Sequence, residues 1–528
     1  MLPLRPITVD EAFSETVRSF PDRPALTFDG RAWSYLELDQ EVDEMAMRLL
    51  SLGVRPGTHV GVLCEAQPNA VFAVFALNRI GAVAVLFNTS LKRSELRALV
   101  RNADVEILLI GDGYNDVDFR EECFGFLEGV RGLREIVYMG LDGDARGFTP
   151  MDTLAPEPDA AMTLAVFRNA VLPEDKSFIL FTSGTTTLPK AVMDSQYSRA
   201  NEGLQQAKDL GYTEADRVCV AMPIFHCFSL SVNVMATLFS GACLCLPPSR
   251  HTADLLETIE QERCSVFSTV PALFDAMLRR DDLDERDLSS LRIGFIGGSL
   301  CPPELFEEIE RRFGFTLLPS LGQTEATAGI TTGFAEDPLS ERAVSVGHVM
   351  DHIQFRLAVP GTNDPAAPGE PGEIMIRGYN VMKGYYNDPE GTAAAITEDG
   401  WLHTGDMAYR NAAGNLVLTG RMKELIIRGG ENISPLEIET VLRSDPSVLD
   451  CKAVGVPDRH YGEAIALCVV PGEGFSEPAV LDTLRASLAH YKVPEHILTV
   501  EEIPKTATGK IRSEELRERA IEIIEKGE

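Results

Sequence analysis

Between residues 59 and 112 short apolar runs alternate with helix-patterned stretches: HVGVLCEAQ (59–67), a helical pattern near 69–80, AVAVLFN (82–88), another near 92–103, and EILLIGD (106–112). Apolar runs without polar alternation read as strands covered on both faces. Strands separated by helices need crossover connections, and the result is a mostly parallel sheet flanked by helices. The strand-then-loop theme returns in GACLCLPP (241–248), SVFSTVPAL (265–273) and LRIGFIGGS (291–299). Upstream, ALTFDGRAWSY reads as a hairpin turning at Asp29-Gly30, and Ser34 with Glu37 is a capping box for the helix that follows. The acidic, turn-rich stretch from Gly113 to Lys176 suggests surface loops and one helix.

Further along, SVGHV (345–349), GEIMIRGYNVMKGYYNDPE (372–390) and WLHTGDMAYRNAAGNLVLTGR (401–421) are short strands broken by Gly, Asn and Pro, a smaller β-rich portion. Ser434, Pro435 and Glu437 then read as the capped start of a helix, and the last hundred or so residues alternate short strands and helices as a small α+β domain. A chain of 528 residues is expected to form two or more compact units.

Charge narrows the partners. With 48 basic against 80 acidic residues the formal net charge is -32, which argues against nucleic acid and against an anionic membrane surface. A polyanionic ligand would need local cations and backbone N–H groups to overcome that field. The most apolar region, Ala70 to Phe87, is interrupted by Asn78, Arg79 and Gly81, so a buried helix and strand are expected there and no transmembrane segment. The N-terminus, MLPLRPITVDEAF, lacks the pattern of a signal peptide. Ten scattered cysteines without a CxxC pair, with Cys243 and Cys245 placed as buried strand thiols, fit a reducing, cytoplasmic setting.

The stretch ILFTSGTTTLPKAV (179–192) carries the strongest chemical signal. Strand hydrophobics run into Thr182, Ser183, Gly184, Thr185, Thr186 and Thr187, with Lys190 at the far end. Flexible backbone N–H groups, hydroxyl donors and one cation are the parts of an anion site; a solvated turn with a surface lysine has the same composition. The Walker spacing is absent. His226 follows a strand and a proline, between Phe225 and Phe228, where a core or rim histidine is common. Gly297-Gly298-Ser299 lets a flat ligand lie against backbone, or simply makes a tight turn. In Gly322-Gln323-Thr324-Glu325 the carboxylate suits Mg2+ and the hydroxyl suits phosphate, while a helix cap and first-turn acid would look alike. Asp406, after Thr404-Gly405, suits two sugar hydroxyls or an Asx-turn, and Arg421 suits ribose or phosphate oxygens. Lys510 lies in a polar Thr/Gly loop.

These stretches in this order resemble the adenylate-forming (AMP-binding) superfamily of acyl-CoA synthetases, luciferases and peptide-synthetase adenylation domains. ILFTSGTTTLPKAV resembles [YF]TSGTTGxPKGV, with Thr187 and Ala191 where glycines are usual. PIFHCFS resembles P-x-F-H-x-x-G with Ser229 in the glycine position, LGQTE resembles Y-G-x-T-E with Leu321 in the aromatic position, and PKTATGK resembles P-K-T-x-x-G-K. The resemblance implies a large N-terminal adenylation domain of stacked, mostly parallel sheets (1–422) and a small mobile C-terminal domain (423–528), hinged at Lys423.

It further implies a triphosphate site at 182–190, Mg2+ at Glu325, phosphate contacts from Thr324 and Lys510, an adenine wall at Gly297–Ser299, and nucleotide binding by Gly322 and Gln323. Asp406 and Arg421 would hold the ribose, His226 would sit near the acyl pocket, and Gly429-Gly430 would lie in a loop beside the pantetheine path. The implied reaction joins an organic, apolar acyl or aryl carboxylic acid to AMP from ATP and passes it to coenzyme A. Loading of a separate carrier protein and a non-catalytic nucleotide sensor are the alternatives, and a monomer or homodimer is expected.

Overall fold

The computed structural model describes residues 2–115, 117–182, 189–428, 431–458, 461–488, 490–505 and 511–527. Two compact units emerge: residues 1–355 with 376–402, and residues 356–375 with 403–528.

In the first unit the expected rhythm becomes an eight-stranded sheet. Its order is Gly384–Tyr385, Lys190–Ser195, Lys176–Thr182, Val83–Leu86, His59–Leu63, Ile107–Ile110, Glu135–Tyr138 and Thr149–Pro150. The interior pairs from Lys176–Thr182 to Glu135–Tyr138 are parallel. Strand Glu135–Tyr138 falls inside the stretch expected to be loops and one helix: four residues in a turn-rich context give no local signal, and pairing with Ile107–Ile110 makes them a strand. The second, seven-stranded sheet runs Thr316–Pro319, Ile293–Ile296, Val266–Phe267, Arg217–Cys219, Cys243–Cys245, Pro24–Phe28 and Arg31–Ser34. The hairpin at Asp29-Gly30 forms with both residues at positive φ (48° and 73°). The Ser34–Glu37 box caps helix Tyr35–Ser51.

Helix Pro68–Ile80 is buried almost all round, as its apolar run from Ala70 to Leu77 requires. Its one charge survives burial because Arg79 Nε meets Asp10 at 2.7 Å, Nη2 meets Asp39 at 2.6 Å and Nη1 meets Asp43 at 2.7 Å. Among the described residues no helix is long and apolar enough to cross a membrane. Cys243 and Cys245 are buried in their strand as free thiols.

The second unit holds strand Leu402–Arg410 paired antiparallel with Leu416–Arg421, and a separate five-stranded sheet centred on Gly462–Pro471. Alternate residues of that central strand feed two cores. Ile465, Leu467 and Val469 pack with Ile438 and Leu442, while Ala464, Ala466 and Cys468 pack with Leu516 and Ala520. The expected capping box at Ser434 is not formed, although Ser434 is the cap residue and Pro435 opens the helix. Its hydroxyl is diverted to the Thr419 carbonyl, and the Glu437 carboxylate is drawn to Lys492 at 2.6 Å.

Candidate active site

Parallel strands send their following loops out at one edge, where ligands of α/β sheets gather. Strands Ile293–Ile296 and Thr316–Pro319 pair in parallel with Ile296 opposite Pro319, so Gly297 and Ser320 emerge side by side. A Cβ on Gly297 would come 2.9 Å from the Ser320 carbonyl oxygen. Gly298, at φ +81°, bends the chain through a conformation that favours glycine and leaves Ser299 exposed. The result is a ledge of bare backbone.

From the neighbouring strand the chain passes Gly322 and Gln323, turns through a single helical turn at Thr324–Ala326, and returns to bridge Gly322 with Gly329. Gln323, not Thr324, is the cap residue. The Thr324 hydroxyl instead reaches the Cys227 sulfur at 3.6 Å, tying this turn to the His226 loop. The turn is pinned from behind: Gly329 N–H donates to Glu202 Oε1 at 2.8 Å, the Thr327 hydroxyl donates to the Asn380 carbonyl at 2.7 Å, and Met382 N–H donates to the Glu325 carbonyl at 2.9 Å.

His226 follows Pro223 in a tight turn and is half-buried. Its Nδ1 accepts the Phe228 N–H at 3.3 Å, so the neutral ring carries its hydrogen on Nε2. Beyond it the chain widens into a π-helix, Ser229–Met235, whose first hydroxyl donates to the Met222 carbonyl at 2.8 Å. π-helical turns are rare and concentrate at functional sites. This one lacked any signal in the sequence.

Thr182 and Lys190 are cross-strand partners at the mouth of the phosphate-type loop. Ser183, Gly184, Thr185, Thr186 and Thr187 lie outside the described residues, as do Gly429, Gly430 and Lys510. The Lys190 ammonium stands 4.3 Å from the centre of the Tyr385 ring, and the Tyr385 hydroxyl donates to Glu325 Oε1 at 3.0 Å. One tyrosine therefore joins the lysine expected at the outer phosphates and the carboxylate expected to hold Mg2+. Sequence reasoning missed it. Strand alternation in Gly384-Tyr385-Tyr386 could have shown that only one of the two rings faces this way.

Two buried carboxyls lie behind the same region. Burial pushes Asp194 up to about 6, with the buried Arg199 pulling against it through an ion pair. Burial pushes Glu202 up to about 7, with donors Gln206, Tyr379 and Gly329 opposing.

In the second unit Asp406 sits in strand Leu402–Arg410, directly opposite Arg421. The Thr404 hydroxyl accepts the Asp406 N–H at 3.1 Å. Arg421 Nε lies 3.0 Å from Asp406 Oδ1, with the two side chains 54% and 5% exposed. Lys423 is exposed within the one-turn helix Met422–Glu424, and its neighbour Glu424 is held by Lys452 at 2.8 Å.

Comparison with known proteins bears on the whole length. The model of the AMP-binding enzyme family matches residues 13–386, and that of the AMP-binding enzyme C-terminal domain matches residues 437–510. The mitochondrial medium-chain acyl-CoA ligase of Danio rerio is 32% identical over 98% of this chain and 89% of its own. The indoleacetate–CoA ligase of Aromatoleum aromaticum is 32% identical over 94% of this chain and 95% of its own. Among solved structures, the o-succinylbenzoate coenzyme A synthetase of Bacillus subtilis, in complex with ATP and magnesium ion, superposes with a TM-score of 0.79 at 27% identity, covering 96% of this chain and 98% of that one.

Proposed function

This chain belongs to the AMP-binding enzyme family, and from that membership we propose that it is an AMP-forming acid–thiol ligase. It activates an organic carboxylic acid with ATP as an acyl-AMP, releases pyrophosphate, and transfers the acyl group to coenzyme A. The observation that carries this reading is the convergence of Lys190, Tyr385 and Glu325 in a chain matched end to end by acid–CoA ligases.

The chemistry follows from the carboxylate. It is already ionised and a poor acyl donor, because its leaving group would be oxide. Attack of one carboxylate oxygen on the α-phosphorus makes that oxygen part of an AMP leaving group. The protein's task is orientation and charge neutralisation, with little need for a general base. By the family resemblance, Lys190 and the 182–187 loop would serve the outer phosphates, and Thr324 and Lys510 the α-phosphate. The bare ledge Gly297–Ser299 and the Gly322-Gln323 backbone accept the flat base. Asp406 takes ribose hydroxyls, with Arg421 as its partner.

Glu325 fits a divalent cation: it is a half-exposed carboxylate with one oxygen oriented by a phenol. No group of three or more carboxylate, imidazole or thiol side chains converges among the described residues. That donor set suits Mg2+ held chiefly by phosphate oxygens and water, where it would neutralise charge on the phosphates. The family resemblance would make Lys423 the pivot between adenylation and thiol transfer, give Gly429 and Gly430 a role toward the pantetheine arm, and give His226 one toward the acyl group.

A panel of alkyl and aryl acids, assayed for ATP-dependent pyrophosphate release with and without coenzyme A and for thioester by mass, tests the reading. Acid-dependent pyrophosphate together with a thioester is expected. Pyrophosphate without thioester would move the acceptor to a carrier protein, and absence of nucleotide binding by the folded protein would overturn the assignment.

A further inference from the structure

Tyr385 touches both charged side chains assigned to the phosphate end of the reaction, yet none of the chemistry above uses it. Its position is firmly set. The backbone pairs opposite Val192 in strand Lys190–Ser195, its N–H donates to the Thr392 hydroxyl at 2.8 Å, and the residue is 7% exposed. Both ends of the side chain are occupied: the Lys190 ammonium lies over the ring at 4.3 Å, and the hydroxyl donates to Glu325 Oε1 at 3.0 Å. Tyr386 serves a different purpose, its hydroxyl donating to Asp104 Oδ2 at 2.9 Å. A tyrosine kept only for packing would need neither contact.

We propose that Tyr385 is a positioning residue for the metal–phosphate end of the site: its hydroxyl holds the Glu325 carboxylate in one orientation toward a divalent cation, and its ring seats the Lys190 ammonium where it meets the phosphates. The inference rests on the ATP-dependent reading given above. A carboxylate free to rotate must be ordered when the cation binds, and a lysine on a flexible stem must be ordered when phosphate binds. Tyr385 does both in advance, so its two halves separate by substitution.

The test is calorimetric titration of the full chain with ATP, in saturating Mg2+ and in EDTA. Tyr385→Phe keeps the ring and removes the hydroxyl. ATP affinity in EDTA should then match wild type, while the gain in affinity conferred by Mg2+ falls about tenfold, the usual effect of losing a hydrogen bond to a charged group. Tyr385→Leu removes the ring as well and should weaken ATP binding in EDTA by about threefold, an effect that disappears in a Lys190→Met background. In a Glu325→Gln background Tyr385→Phe should change nothing further. A merely structural role would shift binding in EDTA and in Mg2+ alike, and that result, or an unchanged Mg2+ gain in Tyr385→Phe, overturns the proposal. Failure of wild type itself to bind ATP would instead refute the underlying functional reading, and the proposal with it.

Discussion

Arg79 and Arg421 each meet a carboxylate from elsewhere in the chain, yet they sit in opposite regimes. Arg79 is fully buried and its guanidinium is shared among Asp10, Asp39 and Asp43, with Asp10 taken also by Arg168 at 2.5 Å. Arg421 meets Asp406 through Nε, with half its side chain in solvent. The first arrangement leaves no donor for a ligand, and a charge held there is part of the core. The second can exchange a partner more readily, because half of the arginine is already in solvent and ligand hydroxyls can take its place on the buried carboxylate. Saturation and exposure together, not the presence of an ion pair, separate a structural arginine from one available to substrate.

The contrast can be broken experimentally. Arg79→Met removes the shared cation, leaves Asp10 to Arg168 alone and takes the partner from Asp39 and Asp43, so the thermal midpoint should fall by an amount equivalent to about 3 kcal/mol, with turnover of the surviving folded protein little changed. An unchanged midpoint would mean that the network is not structural. Arg421→Ala takes the partner from a buried carboxylate and should cost about 1–2 kcal/mol, less than Arg79→Met because half of the arginine is already in solvent. It should lower kcat/KM for ATP by about 10–100-fold, since a hydrogen bond to a charged group is lost. A stability loss without a kinetic one would reverse the assignment.

Glu202 makes a third case, buried like Arg79 but able to shed its charge. Its folded pKa of about 7 lies above the ordinary carboxyl value of 4.5, so the folded state holds a proton that the unfolded chain has already released. Stability contributed by this group is full below pH 4.5 and is lost as pH rises through 7. Glu202→Gln should therefore gain in stability relative to wild type as pH is raised across that window, by about 1–3 kcal/mol at its upper end, checked by urea melts at fixed pH steps. A difference that stays flat with pH would show that Glu202 is charged in the fold.

Much of this architecture was legible because its signals are local. The Ser34–Glu37 cap, the Asp29-Gly30 turn and the strand–helix rhythm of 59–112 need only neighbours along the chain, and all appear where the pattern puts them. The site was legible as motifs and not as geometry. Tyr385 joins Lys190 to Glu325 across 195 and 60 residues of chain, a meeting made by sheet pairing that leaves no mark on the residues themselves. Ser434 shows the converse: its sequence asks for a cap, and a carbonyl brought near by folding takes the hydroxyl instead. Arg79 looked like an interruption in an apolar run, and only the three aspartates from other helices explain why it is tolerated there.

In this reaction a carboxylate oxygen becomes the bridge to AMP before a thiol displaces it. Supplying an acid labelled with oxygen-18 in both carboxylate positions, with ATP and coenzyme A, and weighing the products by mass spectrometry tests it directly. The account predicts one labelled oxygen in AMP, one in the thioester and none in pyrophosphate. Label appearing in inorganic phosphate, with ADP as the nucleotide product, would contradict it.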